Sequence, residues 1–188
     1  MNKYTEFLEK YLGTIQYGWS KNENDQKLPF KIVKYAGGPF PGTVSYSTLG
    51  LSNENLTSIV SGKQIRQELI FNAYASFGDN NIPGILQQIG QLALKNKRAY
   101  LRGDVIGPNG KIFDNSDLEA LYITSPVYFT DEFFTFDIDN KTAIIQAWVI
   151  PITSQEADFI KKYGWDKFED MLVDINPDLI DFNRLSIV

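Results

Sequence analysis

The sequence predicts an α+β domain in which helices pack on a mixed, mostly antiparallel central sheet. The first observation is the order of its periodic segments, which runs from a helix through strands, a helix and more strands to two last helices. The second is composition, since 43% hydrophobic and 14% aromatic residues suffice for a core in 188 residues. The third is the absence of repeats and linkers, so a single domain is expected over residues 1–188.

The first half of the chain is predicted to contain one helix and three strands. Apolar residues at helical spacing predict an amphipathic helix over residues 3–12 that ends at Gly13. The β-rich segments 28–35 and 43–51 predict two strands, separated by a loop rich in glycine and proline. Residues 65–74 carry apolar side chains on both faces, which predicts a central strand covered by a helix.

A second helix is predicted near the middle of the chain. Asn81 is a suitable N-cap, and Pro83 fits the first turn. An apolar face continues through Leu92 to the basic residues Lys95 and Lys97, which suit a helix C-terminus because they complement its dipole.

Turn residues divide the segment that follows into hairpins and short strands. The expected elements are a hairpin over 104–113, short strands over 118–124 and 127–130, and a second hairpin joining 133–138 to 142–152. Asp139 and Asn140 are expected at the tip of the second hairpin.

Two helices complete the predicted fold. Thr153 and Glu156 match a capping box, T-x-x-E, which begins a helix that ends at Gly164. Another helix is expected over residues 166–175, because Pro177 prevents its continuation.

The composition excludes several kinds of chemistry. The chain has no cysteine and no histidine, so disulfides, thiolate nucleophiles, Ser-His-Asp triads and histidine or cysteine metal ligands are excluded. GPNGK lacks the residues of a phosphate-binding loop, and DIDNK lacks those of a calcium loop. We therefore expect no enzyme activity, no cofactor and no metal. A metal hydrolase built from carboxylates is the least favoured alternative.

The negative charge is concentrated toward the C-terminus. Residues 1–130 carry 13 Lys/Arg and 11 Asp/Glu, whereas residues 131–188 carry 5 and 12. This distribution argues against direct binding of nucleic acid and permits a basic protein partner. A solvated acidic face that aids solubility remains the alternative. Without an apolar signal segment or an apolar run long enough to span a membrane, a cytoplasmic protein is expected.

Acidic residues of the last helix are candidates for binding that partner. The candidates are Asp166, Glu169, Asp170 and Asp174, with Asp131 and Glu132 as a second exposed pair. The helical candidates are expected to share one face, with Met171, Leu172 and Ile175 packed inward.

Glu68 is unusual because it lies within an apolar strand. A buried carboxylate is costly unless it is paired, and its pKa can be raised. A general acid or base is one interpretation. We favour a structural ion pair with Arg66, Arg102 or Arg184, because no nucleophile or second carboxylate accompanies Glu68 at a fixed spacing.

Four sequence blocks resemble the Suppressor of Fused-like domain when they are taken in order. They are TVSYSTLGLS at 43–52, IRQELIF at 65–71, AWVIPITSQEADFIKKYGW at 147–165 and DFNRLSIV at 181–188. The resemblance covers about residues 30–188. Its more specific parts are T-L-G-L-S, Glu68-Leu69, P-I-T-x-x-E and a closing D-x-x-R-x-S, in which Arg184 is the basic residue.

The resemblance implies a binding protein. The chain is too short for the second domain of the eukaryotic regulator, so it is more similar to the stand-alone bacterial form. That form implies an antitoxin, or immunity protein, of a polymorphic toxin system, whose toxin often has a basic nuclease domain. The alternative is an intracellular regulatory scaffold that binds a peptide along an open sheet edge.

Overall fold

The computed structural model describes residues 3–22, 24–139 and 142–188. The chain divides into two compact units, one of residues 1–100 with 125–148 and one of residues 101–124 with 149–188. The single domain expected from the sequence stays a prediction.

The described residues form a mixed α+β fold, as predicted. The helices are α1 (Lys3–Leu12), α2 (Ile82–Asn96), α3 (Ser154–Tyr163) and α4 (Trp165–Ile175). The strands are β1 (Ile15–Lys21), β2 (Lys27–Tyr35), β3 (Thr43–Leu49), β4 (Leu56–Thr57), β5 (Gln64–Tyr74), β6 (Val105–Ile106), β7 (Leu118–Thr124), β8 (Thr135–Asp139) and β9 (Thr142–Thr153).

In the first unit the strands follow the order β1-β2-β3-β5-β9. Every adjacent pair is antiparallel except β5 and β9, which are parallel. The short strand β4 also pairs with β5, and β8 forms the predicted hairpin with β9. Asn140, expected at the tip of that hairpin, lies outside the described residues. The prediction of a mixed, mostly antiparallel sheet is confirmed.

Helices cover both faces of this sheet, because its strands carry apolar side chains on both sides. On one face, Leu8 of α1 packs in a cluster with Val33 and Ile70. On the other face, Gly90 of α2 lies against the ring of Phe30. The strand β5 is therefore central and covered, as its two apolar faces predicted.

In the second unit, β7 lies between β9 and β6. Helix α3 packs on β7 and α4 packs on α3. The predicted capping box is present: the Thr153 hydroxyl accepts a hydrogen bond from the Glu156 amide, and the Glu156 carboxylate accepts one from the Thr153 amide. This reciprocal pair fixes the start of α3 directly after β9.

Three local predictions were wrong or incomplete. Residues 104–113 do not form a hairpin, because the strand within them, β6, pairs with β7 instead. The amides of Asn109 and Ile112 also donate hydrogen bonds to carbonyl groups of β7. Residues 127–130 form turns rather than a strand. The strand β1 (IQYGWSK) was not predicted, although large apolar side chains occupy alternate positions along it.

Candidate functional site

Helix α4 carries a row of three aspartates, here named the acidic stripe (Asp166, Asp170 and Asp174). All three are exposed. At about 100° per residue, positions four apart drift by about 40°, so the stripe spans about 80° of the helix. Val173 lies about one turn after Asp170 and directly before Asp174, and it is 79% exposed. The helix thus presents an apolar side chain next to two of the three carboxylates.

Glu169 does not belong to this exposed face, so the prediction that it shares a face with Asp166 and Asp170 was wrong. Its carboxylate forms an ion pair with Arg102 and accepts hydrogen bonds from the hydroxyls of Tyr122, at 2.7 Å, and Thr124, at 2.9 Å. Three donors on β7 and the preceding segment therefore draw Glu169 inward. Ile175, expected inside, is 51% exposed, whereas Phe168 is buried.

The contacts of Glu169 set both its ionisation and the position of α4. Partial burial opposes ionisation, but the hydrogen bonds from Arg102, Tyr122 and Thr124 more than offset it, so the pKa of Glu169 lies below its usual value. The Arg102 guanidinium also lies 5.0 Å from the centre of the Trp165 ring, at the first residue of α4. Glu169 therefore anchors the helix that carries the acidic stripe.

The second predicted acidic pair lies in the first unit. Asp131 and Glu132 are exposed in a short 3₁₀ turn that ends at the buried Phe133. A hydrogen bond with the Thr130 side chain lowers the pKa of Glu132. Both carboxylates are thus available to solvent, while the turn that carries them is fixed by the ring of Phe133.

Glu68 is the centre of a buried hydrogen-bond cluster, here named the Glu68 cluster (Thr48, Gly50, Ser52 and Glu68). The carboxylate is fully buried. It accepts hydrogen bonds from the Thr48 hydroxyl at 2.6 Å, the Gly50 amide at 2.8 Å, and the Ser52 amide and hydroxyl at 3.0 and 2.7 Å. Thr48 donates to Glu68, because an ionised carboxylate can only accept, and the Thr48 oxygen in turn accepts the Leu69 amide.

The expected ion pair of Glu68 was wrong. No described Lys or Arg lies within ion-pair distance of its carboxylate. Arg66, although two residues away on the same strand, donates through Nε to Asn55. Neutral donors replace the cation because the turn after β3 aims two backbone amides at the carboxylate. Burial raises the pKa of Glu68, and the hydrogen bonds from Thr48 and Ser52 oppose that shift.

A second buried carboxylate belongs to the Glu156 cluster (Thr153, Glu156, Arg184 and Ser186). Arg184 donates two hydrogen bonds to Glu156, at 2.6 and 2.8 Å, and the two side chains are 5% and 0% exposed. The buried partner of Arg184 is therefore Glu156 rather than Glu68. The hydroxyls of Thr153 and Ser186 are 3.2 Å apart, which joins the C-terminal segment to the start of α3.

The two clusters explain why the four sequence blocks occur together. The first block supplies the donors of the Glu68 cluster and the second supplies its carboxylate. The third block supplies Glu156 and the fourth supplies Arg184. The motif residues therefore make internal structural contacts, and the fold shows which partners these contacts join.

Glu68, for which the sequence left a general acid or base as one interpretation, is closed to solvent. Glu68 has no exposed surface and four donors, so a substrate cannot reach it. Among the residues the structure describes, no group of three or more acidic side chains could hold a metal ion. Nor does the described part of the chain contain a helix long and apolar enough to cross a membrane.

Comparisons with known proteins agree with this fold. The model of the family described as Suppressor of fused protein (SUFU) matches residues 26–185. Immunity protein YqcF of Bacillus subtilis (strain 168) is 23% identical over 171 residues, which cover 90% of this chain and 86% of that protein.

Solved structures show the same fold. A SUFU homolog from Neisseria gonorrhoeae superposes with a TM-score of 0.76 at 16% identity, covering 97% of this chain and 93% of that one. Drosophila Suppressor of Fused gives a TM-score of 0.61 at 15% identity and covers 85% of this chain, but this match spans only 43% of the Drosophila chain.

Proposed function

Since the chain belongs to the Suppressor of fused family, we propose that it is an immunity protein that binds a cognate toxin domain and neutralises it without catalysis. The observation that carries the proposal is the similarity, over most of both chains, to a protein named as an immunity protein. The two clusters support a non-catalytic role, because the carboxylates of Glu68 and Glu156 are both fully buried.

The charge distribution supports a basic toxin, and we propose a nuclease domain. The second unit carries six Lys/Arg against twelve Asp/Glu, a balance of −6, whereas the first unit carries twelve against eleven. Nucleases bind phosphates with clustered Lys and Arg. An acidic surface is attracted to such a groove and can occupy it in place of the nucleic acid.

The acidic stripe is the proposed centre of this interface. Asp166, Asp170 and Asp174 would accept charge-assisted hydrogen bonds from lysines or arginines of the toxin. Val173 would contribute the apolar contact that interface centres contain. Glu169 would act by holding α4 in place rather than by touching the toxin, while Asp131 and Glu132 remain a second candidate contact.

The proposal is tested by a rescue experiment in bacterial cells. The toxin-like reading frame beside the gene for this chain is expressed with and without it, and surviving cells are counted. We expect survival only when the chain is present. Death in both cases, or a neighbour without toxicity, would contradict neutralisation of that partner.

Charge reversal tests the interface. Asp170→Lys with Asp174→Lys is expected to reduce protection and to make toxin binding less salt-dependent, since two attractive charges become repulsive. The matched control is Glu54→Lys with Asp114→Lys, which changes the same net charge at exposed sites elsewhere. Equal protection by the two double variants would show that the acidic stripe is not part of the interface.

A regulatory scaffold that binds a peptide is the second candidate function, and β1 is the observation that favours it. This edge strand pairs only with β2 among the described strands, and its Tyr17 is 59% exposed. An extended peptide could add to its free edge. A scaffold would give no protection in the rescue assay but would retain binding to unstructured peptides.

A further inference from the structure

A groove in the first unit has a charge opposite to that of the acidic stripe. It lies beside the start of α1, on the sheet face that α1 covers, and has a volume of about 620 Å³. We name it the basic groove, defined by Lys3, Lys31 and Arg66 at its rim and Leu49, Phe136 and Ile144 in its floor. Its volume lies within the range of small-molecule sites.

The three cations of the basic groove are not neutralised by described neighbours. Lys3, Lys31 and Arg66 form no ion pair with a described residue, and Asp137 is the one acidic residue in the described lining. Arg66 is held by a hydrogen bond from its Nε to Asn55, at 3.1 Å, which leaves its terminal nitrogens available to another acceptor. Positive charges that line one groove and outnumber its carboxylates attract an anion.

Strand register places apolar side chains directly beside these cations. Ile144 of β9 lies opposite Arg66 of β5 on one side and opposite Phe136 of β8 on the other. In the neighbouring part of the sheet, Leu49 of β3 lies opposite Lys31 of β2. Each cation that stands on a strand therefore borders an apolar side chain, so the basic groove joins a charged rim to an apolar floor.

The walls of the basic groove are fixed before any ligand binds. Gly50 and Ser52, which line it, are held by their hydrogen bonds to the buried Glu68. Tyr4, on the α1 side, donates its hydroxyl proton to Gln146 at 2.9 Å. A preformed site loses less entropy on binding than a site that must be ordered first.

We propose that the basic groove binds a small amphiphilic anion, in which a phosphate or carboxylate is attached to an apolar body. The anionic group contacts Lys31 and Arg66, with Lys3 adjacent, and the apolar body rests on Phe136, Leu49 and Ile144. This site is independent of the proposed toxin interface, because none of its residues belongs to the acidic stripe.

Titration calorimetry with three probes tests the proposal on the full chain. ATP carries phosphates on an aromatic body, decanoate carries a carboxylate on an aliphatic body, and inorganic phosphate has no apolar body. We expect saturable binding of ATP or decanoate that weakens at high salt, and weaker binding of inorganic phosphate. The better of the two amphiphiles identifies the anionic group that the basic groove prefers.

Matched variants locate the binding site. Lys31→Gln with Arg66→Gln should weaken binding at least about tenfold, because charge-assisted hydrogen bonds are lost. Lys95→Gln with Lys97→Gln removes the same charge from exposed positions at the end of α2 and should leave the affinity unchanged. Absence of saturable binding by both amphiphiles, equal weakening in the two variants, or phosphate binding as tightly as ATP would each overturn the proposal.

Discussion

Replacing Glu68 tests whether neutral donors hold the turn after β3. In Glu68→Ala, the buried amide of Ser52 and the partly buried amide of Gly50 lose their acceptor, as do two hydroxyls. A buried donor without an acceptor costs roughly 1–3 kcal/mol, and hydroxyls can turn toward other partners whereas amides cannot. With the cavity left by the side chain, we expect a loss of about 4 kcal/mol in the free energy of unfolding.

Glu68→Gln separates the acceptor from the charge. The amide oxygen can keep the three donors that now reach Oε1, but the amide nitrogen is itself a donor and would face the hydroxyl proton that Thr48 now donates to Oε2. We expect a loss of about 1–2 kcal/mol, because one hydrogen bond is replaced by a mismatched contact.

Urea unfolding followed by circular dichroism measures both losses, and Glu54→Gln is the control because Glu54 is an exposed acid. The reasoning would be refuted if the free energy of unfolding of Glu68→Ala lay within about 1 kcal/mol of that of the parent chain, or if Glu68→Gln lost as much stability as Glu68→Ala. Either result would mean that the donors of Thr48, Gly50 and Ser52 find water or other partners without the carboxylate.

Four further predictions follow from the same contacts. Burial raises the pKa of Glu68 in the folded chain above its ordinary value of 4.5. Between the unfolded and the folded pKa the folded chain therefore binds more protons, so the free energy of unfolding should fall as pH rises through that window. Urea titrations of Glu68→Gln should not show this fall. Arg184→Met should cost about 3–5 kcal/mol by leaving Glu156 buried without its cation, and Glu156→Gln combined with it should cost less than the sum of the single losses. Gly90→Ala should lower the thermal midpoint because a Cβ would overlap the contacting phenylalanine ring, whereas Gly84→Ala in the same helix meets only an exposed asparagine side chain and should raise it. If the chain is one domain, unfolding transitions followed by circular dichroism and tryptophan fluorescence should coincide, and two separated transitions would contradict that expectation.

Elements that depend on neighbours in sequence could be predicted. The capping box of Thr153 and Glu156 uses donors and acceptors three residues apart, so the motif alone determines the start of α3. The hairpin of β8 and β9 has the same local character. The strand β5 could also be recognised as central, because apolar residues on both faces leave no side for solvent.

Features that depend on distant partners could not be predicted in the same way. The hairpin expected over 104–113 had suitable turn residues, but pairing with β7 replaced the local alternative. The helical position of Glu169 was known, but not that Tyr122 and Thr124 would face it from β7. Helical spacing therefore placed Asp166 and Asp170 on the expected face and misplaced Glu169.

The positions of the motif residues also explain what family membership can say about the partner. Substitution of Glu68 or Arg184 disturbs buried donors or charges, so these residues are constrained by folding whatever the chain binds. Asp170 and Val173 are exposed, and exposed substitutions usually change stability by less than about 0.5 kcal/mol. The acidic stripe can therefore change to suit a partner while the fold stays the same. Two proteins that share the buried clusters are expected to share the fold, and their partners must be inferred from exposed surfaces such as the acidic stripe.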